Sequence, residues 1–138
     1  MNPINPDNEK ELCDFYREWY SCYPPITRGK GKYKKTTPGT KPPSITTMRI
    51  LFQYYIDGSI PGDFIASILQ NDLYGAFNHA PMTDDGEGGQ LSEVELINGT
   101  VQYLTIRFPI ECYGNSEKFG KWINQKKKES NGRRTKLY

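Results

Sequence analysis

The chain has no apolar run approaching the roughly 18 residues of a membrane span, so a membrane-crossing helix is not expected. Its first residues, MNPINPDNEK, carry neither a basic segment nor an apolar stretch of the kind that opens a secretory leader. The expected location is the cytoplasm. Cysteine is scarce: Cys13, Cys22 and Cys112 form no CxxC pair. Their odd number and wide spacing argue against a disulfide framework and against a zinc site. Each is expected to be a small buried hydrophobe. Histidine is nearly absent. His79 stands alone without a nucleophile motif beside it, and a surface or helix-end position is the plainer reading.

Further absences narrow the chemistry. The acidic loop Asp84-Asp85-Gly86-Glu87-Gly88-Gly89 places Glu95 twelfth from Asp84, as a calcium loop would. Its third and fifth positions, however, are Gly86 and Gly88, which have no side-chain oxygen. The same loop has neither the Lys nor the Ser/Thr of a phosphate-binding P-loop. No metal, no cofactor and no enzyme constellation are expected.

What is present begins with size. A chain of 138 residues is one ordinary domain that can bury a core without metals or disulfides. Ten Tyr, six Phe and two Trp predict an aromatic-rich core in which buried Tyr and Trp need polar partners. The helix pattern is repeated along the chain. Asn8 and Glu11 form a capping box before Leu12, Phe15, Tyr16, Trp19 and Tyr23, and Pro24-Pro25 stops that helix. Ser44 caps a second helix with Ile45, Met48, Leu51, Phe52 and Tyr55 as its stripe, closed by Gly58.

The stretch IPGDFIASILQNDLYGAF, residues 60–77, predicts one helix opened by Pro61, with Phe64, Ile65, Ile68, Leu69, Leu73 and Phe77 inward. A short link makes it a helical hairpin with the second helix. Asn71 and Asp72 interrupt the stripe, and the reading is a buried polar pair that locks the helix to its neighbours. Residues 91–108 fit a helix through Leu91, Val94, Ile97, Val101, Leu104 and Phe108. Asn98-Gly99 is also a hairpin signal, so a β-hairpin there is the alternative. Ser116 caps a short last helix carrying Phe119, Trp122 and Ile123. The expected fold is all-α: a compact bundle of four to five helices over 1–129, with an exposed basic loop at 24–43 and a flexible basic tail at 130–138.

Charge is uneven although the net value is only +2. Residues 28–41 carry Arg28, Lys30, Lys32, Lys34, Lys35 and Lys41 with no acid, and Tyr33 lies among them. The C-terminal stretch adds Lys126, Lys127, Lys128, Arg133 and Arg134. Cations interleaved with an aromatic can track phosphates and stack on a base. The plainer alternative is a solvated loop and a solubilising tail.

The segment YYIDGSIPGDFIASILQNDLYGAF, residues 54–77, resembles a pattern in small bacteriophage proteins of no assigned activity. In them a helix ending in Tyr-Ile and Gly precedes Ile-Pro-x-Gly-x-Phe and then Asn-Asp-Leu with a following Ala; here the middle motif is the tighter Ile60-Pro61-Gly62-Asp63-Phe64. PIECYGNSEKFGKWI is similar to the Pro, Cys, Gly-Ser and Trp run that follows in such proteins. The resemblance departs at 80–90, where APMTDDGEGG replaces an Ala-Asp and an Asn. It implies a helical fold and a phage origin, and it carries over no catalytic residue. Three functions follow as expectations. The first is a non-catalytic phage accessory protein that binds a host macromolecule, as an inhibitor of a host defence or nucleic-acid-processing system. The second is a nucleic-acid-binding protein using the basic loop and tail. The third is a small-nucleotide binder or enzyme centred on Asn71 and Asp72. Neither a membrane partner nor a particular oligomeric state is implied.

Overall fold

A computed structural model describes residues 2–37, 39–79 and 93–135. The architecture is all-α. Six helices are described: α1 (Glu9–Cys22), α2 (Ile45–Asp57), α3 (Asp63–Leu69), α4 (Leu73–His79), α5 (Glu93–Arg107) and α6 (Ser116–Thr135). A small antiparallel hairpin of β1 (Ile26–Arg28) and β2 (Lys35–Thr37) stands between α1 and α2. Helix α2 packs on α6, and α3 packs on α4 and α5. The expected pairing of the second and third helices is thus not the main contact either one makes.

Local signals explain most boundaries. The Asn8 side chain accepts from the N–H groups of Lys10 and Glu11 at the start of α1. Ser44 accepts from the Thr47 N–H to open α2, and Gly58 closes it in the left-handed conformation. Helix α6 departs from expectation twice. Its cap is Asn115, which accepts from the Lys118 N–H at 2.8 Å, whereas the Ser116 hydroxyl donates to Gln70 Oε1 at 3.0 Å. Its backbone also stays helical to Thr135, so residues 130–135 are the end of a long helix and not a flexible tail.

The stretch 60–77 is two helices, not one. Pro61 precedes the first, which opens at Asp63 behind Gly62. Asn71 has φ of 59°. The Asp72 N–H donates to the Ser67 carbonyl at 2.8 Å and the Asn71 N–H to the Ile68 carbonyl at 3.0 Å. That pair of bonds is a Schellman ending with Asn at the left-handed position, where its short polar side chain is tolerated. Asp72 then caps α4: its carboxylate accepts from the Gly75 N–H at 3.0 Å, and its carbonyl from the Ala76 N–H at 2.9 Å. Both residues are exposed, which overturns their reading as a buried pair. The corner is held to α6 by its neighbours instead. The Gly114 N–H donates to the Leu69 carbonyl at 2.8 Å, beside the Gln70–Ser116 bond.

This break rotates the apolar stripe. Ile65, Ile68 and Leu69 are buried, but beyond the corner Gly75 and Ala76 face inward while Leu73 lies 63% exposed. Elsewhere the stripes are shifted by about one position. In α2 the buried set is Met48, Leu51 and Tyr54, with Tyr55 half-buried and Ile45 exposed. In α5 it is Ile97, Thr100, Tyr103 and Leu104, which confirms a helix at 93–107 and excludes the hairpin there. Cys112 is buried as expected, but Cys13 and Cys22 are exposed.

The core is aromatic, and the polar atoms of Tyr54, Tyr103, Trp19 and Trp122 are paired. Phe15 packs edge-on to Tyr103 at 5.4 Å between ring centroids, and Tyr103 to Phe108 at 5.7 Å. The Tyr54 hydroxyl donates to the Cys112 carbonyl at 2.6 Å, and Tyr103 accepts from the Ile4 N–H at 3.3 Å. Indole N–H groups of Trp19 and Trp122 donate to the carbonyls of Thr40 and Tyr54 at 2.7 and 3.1 Å. Each of these bonds spares a buried donor or acceptor the cost of lost hydration, about 1–3 kcal/mol.

Candidate nucleic-acid interface

Residues 24–43 contain more order than a loop. Ile26 pairs with Thr37, Thr27 with Thr36, and Arg28 with Lys35. Threonine and isoleucine suit a strand, and glycines 29 and 31, both at positive φ, let the chain reverse. The apex, residues 31–33, is one tight turn closed by the Tyr33 N–H to the Lys30 carbonyl and the Lys34 N–H to the Gly31 carbonyl, each 3.1 Å. Arg28, Lys30, Lys32, Lys34 and Lys35 are all exposed on this hairpin. Tyr33 is 76% exposed at its apex, with the Lys32 ammonium 5.2 Å from the ring centroid.

The hairpin stands on a fixed base. Residues 39–43 return across the body as a partly to fully buried strap, so only the portion up to residue 35 fits the expectation of an exposed loop. Trp19 of α1 holds the strap through Thr40, and Asn98 of α5 reaches the Thr40 hydroxyl at 3.5 Å. The strap crosses α5 closely at Gly99, where a side chain would run into the Lys41 carbonyl oxygen. Lys41 is therefore half-buried in the strap and engaged there, apart from the exposed cations.

The C-terminal cations are divided. Lys126 is mostly covered, its ammonium 4.7 Å from the Trp122 ring and 5.9 Å from Tyr55, with Glu129 at 3.4 Å. Tyr55 and Trp122 stack at 5.6 Å beneath it. Lys126 thus belongs to the α2–α6 packing, while Lys127 and Lys128 remain exposed. Arg133 and Arg134 lie on the helical backbone near the end of α6. The strap at the base of the hairpin is anchored by α1 and α5, whereas Lys126 packs against α2.

Asn71 and Asp72 form no ligand constellation: each is used by the helix corner. His79 is exposed at the end of α4. Among the described residues no three His, Cys, Asp or Glu side chains gather where a metal could sit, and no helix is long and apolar enough to cross a membrane. The loop Asp84–Gly89 lies outside the described residues. Comparison with known proteins finds no match: no family model, curated protein or solved structure is similar to the chain.

Two features of this surface escaped sequence reasoning, the hairpin and its strap. Signals for both existed. Gly99 sits unaccountably inside an apolar-periodic helix, and Trp19 needs an acceptor if buried. The alternation of Arg28, Lys30, Lys32 and Lys34 was legible as charge only.

Proposed function

We propose that this chain is a non-catalytic binding protein of the phage accessory type, and that its partner is a host nucleic acid engaged by the hairpin 26–37. The observation that carries the reading is the exposed set Arg28, Lys30, Lys32, Lys34 and Lys35, free of acids and carried on an ordered hairpin with an exposed tyrosine at its apex. Exposed cations at close spacing release counterions when they meet phosphates, and that release drives binding. Interference with a host nucleic-acid-processing system would suit such a protein.

Fluorescence anisotropy of labelled single- and double-stranded DNA at low and physiological salt tests the reading. If all five cations engage a single strand, log K should fall with log salt at a slope of about −3.5. Replacing Lys30, Lys32, Lys34 and Lys35 by Gln should abolish most of that dependence. Absence of binding at low salt would sink the proposal. A second reading, a host protein as partner, draws on α4, where Leu73, Tyr74 and Phe77 lie exposed. Capture of a host protein by the wild type but not by Leu73→Ser/Tyr74→Ser, with no DNA binding, would favour it.

A further inference from the structure

We infer that the hairpin apex takes an unpaired base on the Tyr33 ring, making single-stranded nucleic acid the preferred class of ligand. This rests on the polyanion reading above and adds base stacking to it. Cations alone give no preference for a single strand, since a duplex also presents phosphates and at higher linear charge density. The aromatic apex is what distinguishes the two. An exposed ring can stack on any unpaired base through its π-face, whereas bases in a duplex are already stacked on each other.

Three features of the apex fit that use. Most of the ring is in solvent, at the tip of the element. The Lys32 ammonium lies 5.2 Å from the centroid. It is drawn by the ring's negative face and puts a positive charge beside a stacked nucleotide, within reach of its phosphate. The ring is also carried on a determined backbone. Two hydrogen bonds close the turn, and Gly29 packs so tightly that a side chain there would strike the Tyr33 carbonyl. Such pre-organisation reduces the ordering that binding must otherwise impose. Lys30 and Lys34 flank the turn and Arg28 faces Lys35 across the strands, so cations lie on both legs leading to the ring.

The test compares wild type, Tyr33→Ala, Tyr33→Trp and the double variant Lys30→Gln/Lys34→Gln. The probes are a labelled oligothymidine of about 20 nucleotides and a duplex of the same length. Tyr33→Ala should weaken binding to oligothymidine by about 5- to 150-fold and leave the duplex within about twofold of wild type. Tyr33→Trp should retain single-strand binding, and its indole emission should be quenched by oligothymidine and not by the duplex. Lys30→Gln/Lys34→Gln should weaken both ligands and lower the single-strand salt slope by about 1.4. Tyr33 is exposed, so unchanged melting temperatures will confirm that these variants are folded. If Tyr33→Ala weakens both ligands equally, or neither, while the lysine variant weakens both, stacking is refuted and the polyanion reading stands. If neither oligonucleotide binds at low salt, both readings fall, and binding to phosphatidylserine vesicles in that case would assign the cations to a lipid surface.

Discussion

Gly99→Ala should destabilise the protein, although in the interior of an unencumbered helix the same substitution stabilises by about 0.8–1.0 kcal/mol. The difference comes from the strap. The added methyl would press on the Lys41 carbonyl oxygen, with the carbonyl carbons of Lys41 and Pro42 each 3.6 Å behind it. These are backbone atoms held in place, not the free end of a side chain. Overpacking of this kind costs about 1–3 kcal/mol. Moving the strap also stretches the 2.7 Å bond from Trp19 to Thr40, which contributes about 1 kcal/mol. After the gain in helix propensity, a net loss of about 1–3 kcal/mol is expected. Gly120 of α6 supplies the control, because nothing lies within 4 Å of a Cβ built there. Gly120→Ala should therefore stabilise by up to about 1 kcal/mol. For 138 residues, with an unfolding entropy of about 2.1 cal/mol/K per residue, each kcal/mol moves Tm by about 3–4 °C. Urea and thermal unfolding followed by circular dichroism and tryptophan emission will read both variants. If Gly99→Ala raises Tm as Gly120→Ala does, the strap does not lie against α5, and the anchoring of the hairpin is wrong.

Three further outcomes follow from single environments. In the native protein an aromatic disulfide reagent should label Cys13 and Cys22 rapidly at mildly alkaline pH and Cys112 only after denaturation, since burial pushes the Cys112 thiol up to about 12. Burial also raises the Tyr103 hydroxyl from 10.0 to about 12. The unfolded chain then loses that proton first, so Tyr103's contribution to stability is intact below pH 10 and is lost as pH rises toward 12. Phenolate absorbance during alkaline unfolding, compared with Tyr103→Phe, will show the linkage, and a stability flat across that window would contradict it. Asp72→Ala should cost about 1 kcal/mol through loss of the α4 cap, while Asp72→Asn should cost less and Asn71→Gly, at a left-handed position that glycine favours, should be close to neutral. Neither residue should alter DNA binding, and a binding defect without loss of Tm would return them to a ligand role.

Helix type was legible wherever apolar residues recurred at three- and four-residue steps, but the number was not, since four to five helices were expected and 60–77 holds two of the six described. Asn8, Ser44 and Gly58 mark their helix ends in the chain itself. What misled the reading was phase. A stripe assigned by hydrophobicity alone placed Tyr55 inward, yet Tyr54 is the residue whose hydroxyl finds the Cys112 carbonyl in the interior. An amphipathic tyrosine can be half-buried or wholly buried, and only a distant acceptor decides which. The same applies to 60–77. Its periodicity holds as far as Leu69 and then continues by coincidence through Leu73 and Phe77. Asn and Asp in succession are poor helix interiors and good helix endings. Read as a left-handed C′ residue followed by an N-cap, the pair predicts the corner that the chain makes.

The basic hairpin shows the opposite case, in which composition reports the charge and conceals the geometry. Five like-charged side chains on a short ribbon repel one another, and an isolated two-stranded hairpin is marginal in water. Its apolar residues cannot hold it either, for Ile26 is 52% exposed. Order must then come from outside the ribbon, and the anchors are Trp19, Gly99 and Asn98, the last two far from 26–37 in the chain. Long-range anchoring of that kind leaves only indirect traces: a tryptophan that needs an acceptor, and a glycine kept in mid-helix against its propensity. It also couples stability to the surface. A variant that lifts the strap should lose oligonucleotide affinity together with stability, whereas Tyr33→Ala should lose affinity alone. Separating those two patterns will decide whether the body merely carries the hairpin or holds it in its binding form.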